Sequence, residues 1–228
     1  MLKVQLHTHV QGDALDHIPY SPKRLIKRAA KLGYNALAIT CHKKVIFNKN
    51  IQKIGKKYGV IVIPGIETDI NHAHVLIVNA EKSAEQVDSF DKLKKYKKAH
   101  PECLIIAPHP FFPSKHTLKK ALIENIQIFD AIEHSFCYTK TKNYNKPAIA
   151  LAKRWKKPLI ATSDCHILKH LDLGYTLVNS KPNIPSIIKA IKQNKIKIIH
   201  QPISYFKAGR IITRMIFQTF FKKFIKGK

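Results

Sequence analysis

His7 and His9 stand two residues apart in MLKVQLHTHV. The alternation of a strand there would send both imidazoles to one face. Two imidazoles projected together form a clamp for a divalent metal. That spacing is common by itself, but the pattern recurs. His42 follows the apolar run NALAIT, Glu67 follows VIVIPG, His109 follows CLIIAP, and Asp164 and His166 follow PLIAT. His74 opens the run HVLIV instead of ending one. Each residue alone has an ordinary structural reading: Glu67 capping a turn, His109 in a loop before Pro110, Asp164 capping a helix. A metal-ligating type at the end of strand after strand points instead to chemistry assembled at one end of a sheet.

The elements that must position these residues alternate nearly to the end of the chain. Strands are expected over Val4–His9, Asn35–Thr40, Val60–Ile63, His74–Val78, Cys103–Ala107, Phe129–Glu133, Leu159–Thr162, Tyr175–Val178 and Ile196–Ile199. Between them, Ser21-Pro22 opens a helix that Gly33 ends, with Ser as N-cap and Pro at the first helical position. Further helices are expected over Lys49–Tyr58, Ser83–Ala99, His116–Asn125, Asn143–Lys156 and Pro185–Gln193, and Pro64-Gly65 reads as the end of a strand. Such βαβα alternation implies a mostly parallel sheet covered by helices, either closed into a barrel or open and doubly wound. No Pro/Gly/Ser linker divides the chain, so one α/β domain over residues 1–202 with a tail over 203–228 is expected.

The stretches LHTH (Leu6–His9), ALAITCH (Ala36–His42), PGIE (Pro64–Glu67), HVLIV (His74–Val78), APHP (Ala107–Pro110) and TSDCH (Thr162–His166) carry a resemblance. In this order, across roughly Met1–Pro202, they resemble the PHP (polymerase and histidinol phosphatase) superfamily of metal-dependent phosphoesterases. The resemblance implies a distorted (β/α)7 barrel and two to three divalent metals. It implies that His7, His9, Glu67 and Asp164 hold one metal, and that His42, His166 and a first-loop residue hold a second. Glu67, His74 and His109 would hold a third, with Glu67 bridging. The first loop, QGDALDHIPYSP, offers Asp13, Asp16 and His17; Asp16, upstream of the Ser21 cap, is preferred ahead of Asp13. Cys41 stands where the family usually has Asp, which removes an expected orienting carboxylate. Cys41 itself reads as a packed residue. His134, in IEHSFCY, is expected to touch the substrate phosphate, with a structural histidine as the alternative.

Mixed imidazole and carboxylate donors suit Zn²⁺, Mn²⁺ or Fe²⁺ better than Ca²⁺ or Mg²⁺. The reaction implied is hydrolysis of a phosphate ester by a metal-bound hydroxide, with no separate side-chain catalyst. A small phosphorylated metabolite or nucleotide is the first substrate class. A nucleic-acid end, cut by a nuclease, is the second. The chain of 228 residues carries 41 Lys+Arg against 14 Asp+Glu, a net charge of +27. That charge raises a third reading, a non-catalytic RNA-binding protein on the same kind of barrel. The intact ligand pattern favours the enzyme.

Four cysteines without a CxxC pair suit a reducing compartment, and the amino terminus shows no apolar leader segment, so a cytoplasmic protein is expected. No apolar run is long enough to span a bilayer. The tail, KAGRIITRMIFQTFFKKFIKGK over Lys207–Lys228, would as a helix join an apolar stripe (Ile211, Ile212, Met215, Ile216, Phe220, Phe224) to a basic face. Docking on the barrel, peripheral membrane contact, and contact with nucleic acid or a partner are its three readings.

Overall fold

In the computed structural model, which describes residues 1–213, the apolar runs form a single sheet. Its strands are β1 (Leu2–Gln5), β2 (Ala36–Ile39), β3 (Ile61–Ile70), β4 (Ala73–Val78), β5 (Leu104–Ala107), β6 (Ala131–Ser135), β7 (Leu159–Thr162), β8 (Gly174–Val178) and β9 (Ile196–His200). The spatial order is β7-β6-β5-β4-β3-β2-β1-β8-β9. Helices α1 (Pro22–Lys31), α2 (Lys49–Lys57), α3 (Phe90–Ala99), α4 (Lys120–Glu124), α5 (Lys146–Arg154) and α6 (Ile184–Lys192) cover it, and residues 205–213 are also helical. Ser21, Asn48, Ser89 and Asn183 cap four of these helices through their side chains.

Both faces of the strands are buried, which explains their unbroken apolar composition. Leu37 and Ile39 of β2 pack outward with Leu25 and Ile26 of α1. The alternate residues Ala36 and Ala38 pack inward with Ile187 and Ile191 of α6. Val178, at the end of β8, pairs with Leu2 at the start of β1, so α6 leaves the sheet at the amino-terminal end of β1. The opposite end, where β1, β2, β5 and β7 finish, is left for polar side chains.

The sheet curls into a nearly closed α/β barrel, with β7 brought against β8. Thr176 of β8 makes this junction with its side chain: its hydroxyl accepts from Ala161 N (3.0 Å) and donates to Ala161 O (2.9 Å). Gly174 allows the close approach, since a Cβ there would meet Thr162 O at 2.7 Å. Thr176→Val should therefore leave two buried backbone groups unpaired. A loss of about 2–3 kcal/mol is expected, seen as a melting point roughly 4–12 °C lower, with Thr176→Ser largely spared.

The structure corrects four expectations about these elements. The sheet is mixed rather than mostly parallel. β1–β2, β2–β3, β5–β6 and β6–β7 are parallel, while β3–β4, β4–β5, β1–β8 and β8–β9 are antiparallel. Pro64-Gly65 does not end β3; the strand changes partner there, from β2 to β4. A Cβ on Gly65 would lie 2.8 Å from Thr40 Cγ2, so only glycine lets the strand cross so closely. The helix expected over Ser83–Ala99 is a short 3₁₀ turn (Lys82–Gln86) and then α3, separated by buried Val87 and the Ser89 cap. β1 stops at Gln5, whose side-chain Oε1 accepts from the backbone N–H groups of Leu6, His7 and Ser163 in place of a ladder partner. Among the described residues no helix is long and apolar enough to cross a membrane.

Candidate metal centre

At the carboxyl ends of the parallel strands, side chains from most of the barrel converge on Glu67, which is 1% exposed. Glu67 Oε2 lies 3.2 Å from His7 Nε2, 3.4 Å from His9 Nε2 and 3.1 Å from His42 Nε2. Its Oε1 lies 2.9 Å from His74 Nδ1 and 3.3 Å from His109 Nε2. Asp164 Oδ1 adds a second acceptor, 3.2 Å from His7 Nε2, 3.3 Å from His9 Nε2 and 3.3 Å from His166 Nδ1. His74 joins the group although it opens a strand, because β4 runs antiparallel to β3 and begins where β3 ends.

Backbone bonds between the loops hold this cradle. His9 N donates to Cys165 O, Cys165 N to His7 O, Glu67 N to Cys41 O and Lys43 N to Glu67 O. Lys43, His109 and Asp164 all have positive φ (54°, 30° and 41°), so three of the converging loops carry strained backbone. Such strain persists where the surrounding structure fixes it, commonly at functional sites.

The outer nitrogens of the rings define what the inner ones can do. His7 Nδ1 meets Glu133 Oε2 at 3.0 Å, and Glu133 is fully buried. His9 Nδ1 meets Asp13 Oδ2 at 2.8 Å, and His42 Nδ1 meets Asp13 Oδ1 at 3.0 Å. A carboxylate accepts only, so each Nδ1 carries the proton. In a neutral ring the Nε2 is then a bare lone pair, and all three Nε2 atoms point at carboxylate oxygen. Acceptor facing acceptor is repulsive unless the rings are protonated or a cation sits among them. His9 Nε2, Glu67 Oε1, His74 Nε2 and Asp164 Oδ1 are buried without a hydrogen-bond partner. The donor set, imidazole nitrogen with carboxylate oxygen, fits divalent transition metals. Ligand atoms of His7, His9 and Glu67, of His42, Glu67 and His74, and of His9, His42 and His166 lie within 4.8 Å of one another in each group.

Without an ion, protons must do this balancing. Burial disfavours the charged form of His7, yet Asp164, Glu67 and Glu133 together hold its pKa well above the usual value. Burial also opposes ionisation of Glu67, but His74, His7 and His42 hold its carboxyl well below the usual range. His9 is pushed down, by burial and by its neighbour His166.

In the first loop, Asp16 and Asp13 take two different positions. Asp13 has a fully buried side chain and orients His9 and His42 from behind, also accepting from His42 N at 2.9 Å. Asp16 faces the cavity and lies 3.0 Å from His166 Nε2. His17 is exposed. Asp13 thus supplies an orienting carboxylate although Cys41 stands at the family's usual Asp. Cys41 is packed in the apolar cluster with Val10 and Ile39, its thiol pushed up by burial.

His134 is the expectation that the geometry corrects. In β6, Ala131, Glu133 and Ser135 share the inward face by alternation, which turns Ile132 and His134 outward. The His134 ring lies 3.9 Å from that of His200, and burial with His200 lowers its pKa to about 4. It does not line the cavity, which places it away from the substrate contact expected of it. The residue that reaches the centre from this strand is Glu133. His116, whose ring stacks 4.9 Å from that of His74, also lines the cavity. Its only sequence signal was position after His109 in a histidine-rich loop.

A curved α/β barrel with a buried histidine–carboxylate cluster at one end is the class this architecture defines. The chain belongs to the PHP domain family, whose model matches residues 5–198. It is 40% identical over 68 residues to a PolC-type DNA polymerase III of Oceanobacillus iheyensis, covering 30% of this chain and 5% of the polymerase. The chain therefore spans only a small part of the length of that relative. Among solved structures it is similar to a two-domain Bacteroides vulgatus protein containing a predicted PHP-like metal-dependent phosphoesterase. The TM-score is 0.68 at 18% identity, covering 88% of this chain and 65% of the other. It is also similar to a lesion-specific endonuclease of Pyrococcus furiosus, with a TM-score of 0.60 at 17% identity, covering 86% and 57%.

Proposed function

We propose that the protein is a metal-dependent phosphoesterase that cleaves a phosphate ester held at the Glu67 centre. The observation that carries this reading is the aim of the Nε2 atoms of His7, His9 and His42 at one carboxylate oxygen. Glu133 and Asp13 keep their protons on the far side of the rings. Divalent Zn²⁺, Mn²⁺ or Fe²⁺ held there would activate water and neutralise charge on the phosphoryl oxygens. His7, His9, Glu67 and Asp164 are the residues we assign to one ion, His42, His166 and Asp16 to a second, and Glu67, His74 and His109 to a third. Glu133 and Asp13 fix ring orientation, as carboxylates behind metal-bound histidines do.

The site floors a cavity of about 710 Å³, of the size that takes a small molecule, which favours a phosphorylated metabolite or nucleotide. A nuclease acting on strand ends is the second reading. It is favoured by the +27 charge and by likeness to an endonuclease and to a DNA polymerase. Four free cysteines, three of them buried, suit a cytoplasmic setting.

Elemental analysis of purified protein, with a panel of phosphomonoesters, nucleotides and oligonucleotides, tests the proposal. About two to three equivalents of transition metal are expected, with hydrolysis lost on chelation and restored by Mn²⁺ or Zn²⁺. Less than one equivalent after reconstitution of folded protein would overturn it.

A further inference from the structure

The carboxy-terminal segment, expected to be an appendage, borders the catalytic cavity. Phe206, Lys207, Arg210 and Ile211 of the helix over 205–213 line the same cavity as Glu67, His109 and Asp164. The approach to this helix is fixed to the loop after β6. Ile203 is buried and its N donates to Tyr138 O at 2.9 Å, while the Tyr205 hydroxyl donates to Thr141 Oγ1 at 3.0 Å. Tyr138 in turn bonds His200 Nδ1 at 2.6 Å. Ser204 accepts from Lys207 N, capping the helix at its start.

The floor and the rim of the cavity carry opposite charge. The carboxylates lie in the floor, among the histidines. The rim carries Lys169, Lys207 and Arg210, and among the described residues none of the three forms an ion pair. Residues 203–213 contain no acidic side chain. The Arg210 guanidinium rests 5.7 Å from the Phe206 ring centre, and Phe206 is 75% exposed. A cavity of about 710 Å³ far exceeds a single phosphate group, which leaves room between Glu67 and this rim for a larger molecule.

We propose that the helix over 205–213 completes the substrate site, and that Lys207 and Arg210, with Lys169, bind a second anionic group of the substrate. This inference rests on the phosphoesterase reading for the first anionic group but concerns separate residues. The second group is either another phosphate of one small molecule or the next phosphate of a nucleic-acid strand; the chemistry recognised is the same. Residues beyond 202 would then determine which esters are selected.

The test uses the full chain with Lys207→Ala/Arg210→Ala. A charge-matched control is Lys23→Ala/Lys27→Ala on exposed positions of α1. Four probes are compared: a sugar bisphosphate, the sugar monophosphate, a dinucleotide with a terminal phosphate, and the mononucleotide. KM and kcat are measured on metal-loaded protein, and equilibrium binding of the same probes on metal-free protein by calorimetry. For at least one two-anion probe, KM and the binding constant should weaken about tenfold or more, as loss of charge-assisted contacts requires. The kcat, the one-anion probes and the control variant should be unaffected. A response of the bisphosphate identifies a small molecule, and a response of the dinucleotide identifies a strand. Equal weakening of all four probes, or weakening equal to that of the control, would overturn the proposal, as would no weakening at all. If no probe is hydrolysed while the binding difference persists, the phosphoesterase reading fails and the second-anion site stands.

Discussion

Glu67→Gln protein should lose the ions at the two positions proposed to use Glu67, holding about one equivalent of metal or less, and lose turnover by at least about a hundredfold, while keeping its fold. Altering a residue behind a metal ligand already costs roughly 10–100-fold in affinity or activity, and Glu67 is proposed as a ligand shared between ions. The substitution keeps the shape of the side chain and removes one buried negative charge. Five imidazoles lie within 3.4 Å of that carboxylate, so its charge is the common counterpart of all five rings. The glutamine amide can donate to a bare Nε2, which spares the protein an unsatisfied cluster and keeps the measurement clean. Elemental analysis with circular dichroism and steady-state rates reads all three quantities. Turnover within a few-fold of the parent, with metal retained, would remove Glu67 from its bridging role.

The clustering of His7, His9, His42, Glu67, His109, Asp164 and His166 was legible because a barrel brings the ends of its parallel strands to one rim. A residue just past such an end, or for Glu67 just past the part of β3 that pairs in parallel with β2, needs no knowledge of long-range pairing to be placed. His74 was harder, since its membership depends on β4 turning back along β3. That turn depends on Pro64-Gly65 acting as a crossing point rather than a stop. Dipeptide chemistry fixes only that the backbone there is unusual; the proximity of Thr40 decides what it does.

Strand β6 shows the limit most clearly. Glu133 and His134 are adjacent and both could do chemistry, so sequence alone offers two residues for one inward position. The register Glu133↔Ile160, with Ala131 packed inside, settles it in favour of the glutamate. The orienting carboxylates share this difficulty. Asp13 serves His9 through a contact four residues away and His42 through one spanning 29 residues. Spacing in the first loop cannot reveal the second of these. The tail is a third case. A basic amphipathic pattern permits any apolar surface or polyanion as partner, and only the anchoring of Ile203 and Tyr205 to the Tyr138–Thr141 loop brings 205–213 to the cavity. Met215, Ile216, Phe220 and Phe224 of the expected stripe lie outside the described residues.

His7→Ala/His9→Ala protein should retain polyanions at low salt yet hydrolyse neither a phosphomonoester nor a phosphodiester. The two rings sit with centroids 5.3 Å apart and both present Nε2 to Glu67 and Asp164, so their loss empties one proposed ion position. The 41 Lys+Arg residues are untouched, and with them any attraction that works by neutralising backbone phosphates. Such attraction falls steeply and linearly in log–log form with salt, and the slope counts phosphates contacted. Wild-type and variant should therefore share one salt slope on a structured RNA while differing completely in turnover. Removing His7 leaves Glu133 buried without its partner, which costs stability. His166→Ala, at a half-buried residue on the cavity wall, is carried as a second variant with the same expected loss of hydrolysis. The opposite result is equally definite. Should wild-type protein loaded with Mn²⁺ or Zn²⁺ cleave no ester in the panel, yet bind structured RNA tightly near physiological salt, the barrel is an RNA-binding one. The histidine cluster would then stabilise the fold without catalysing a reaction.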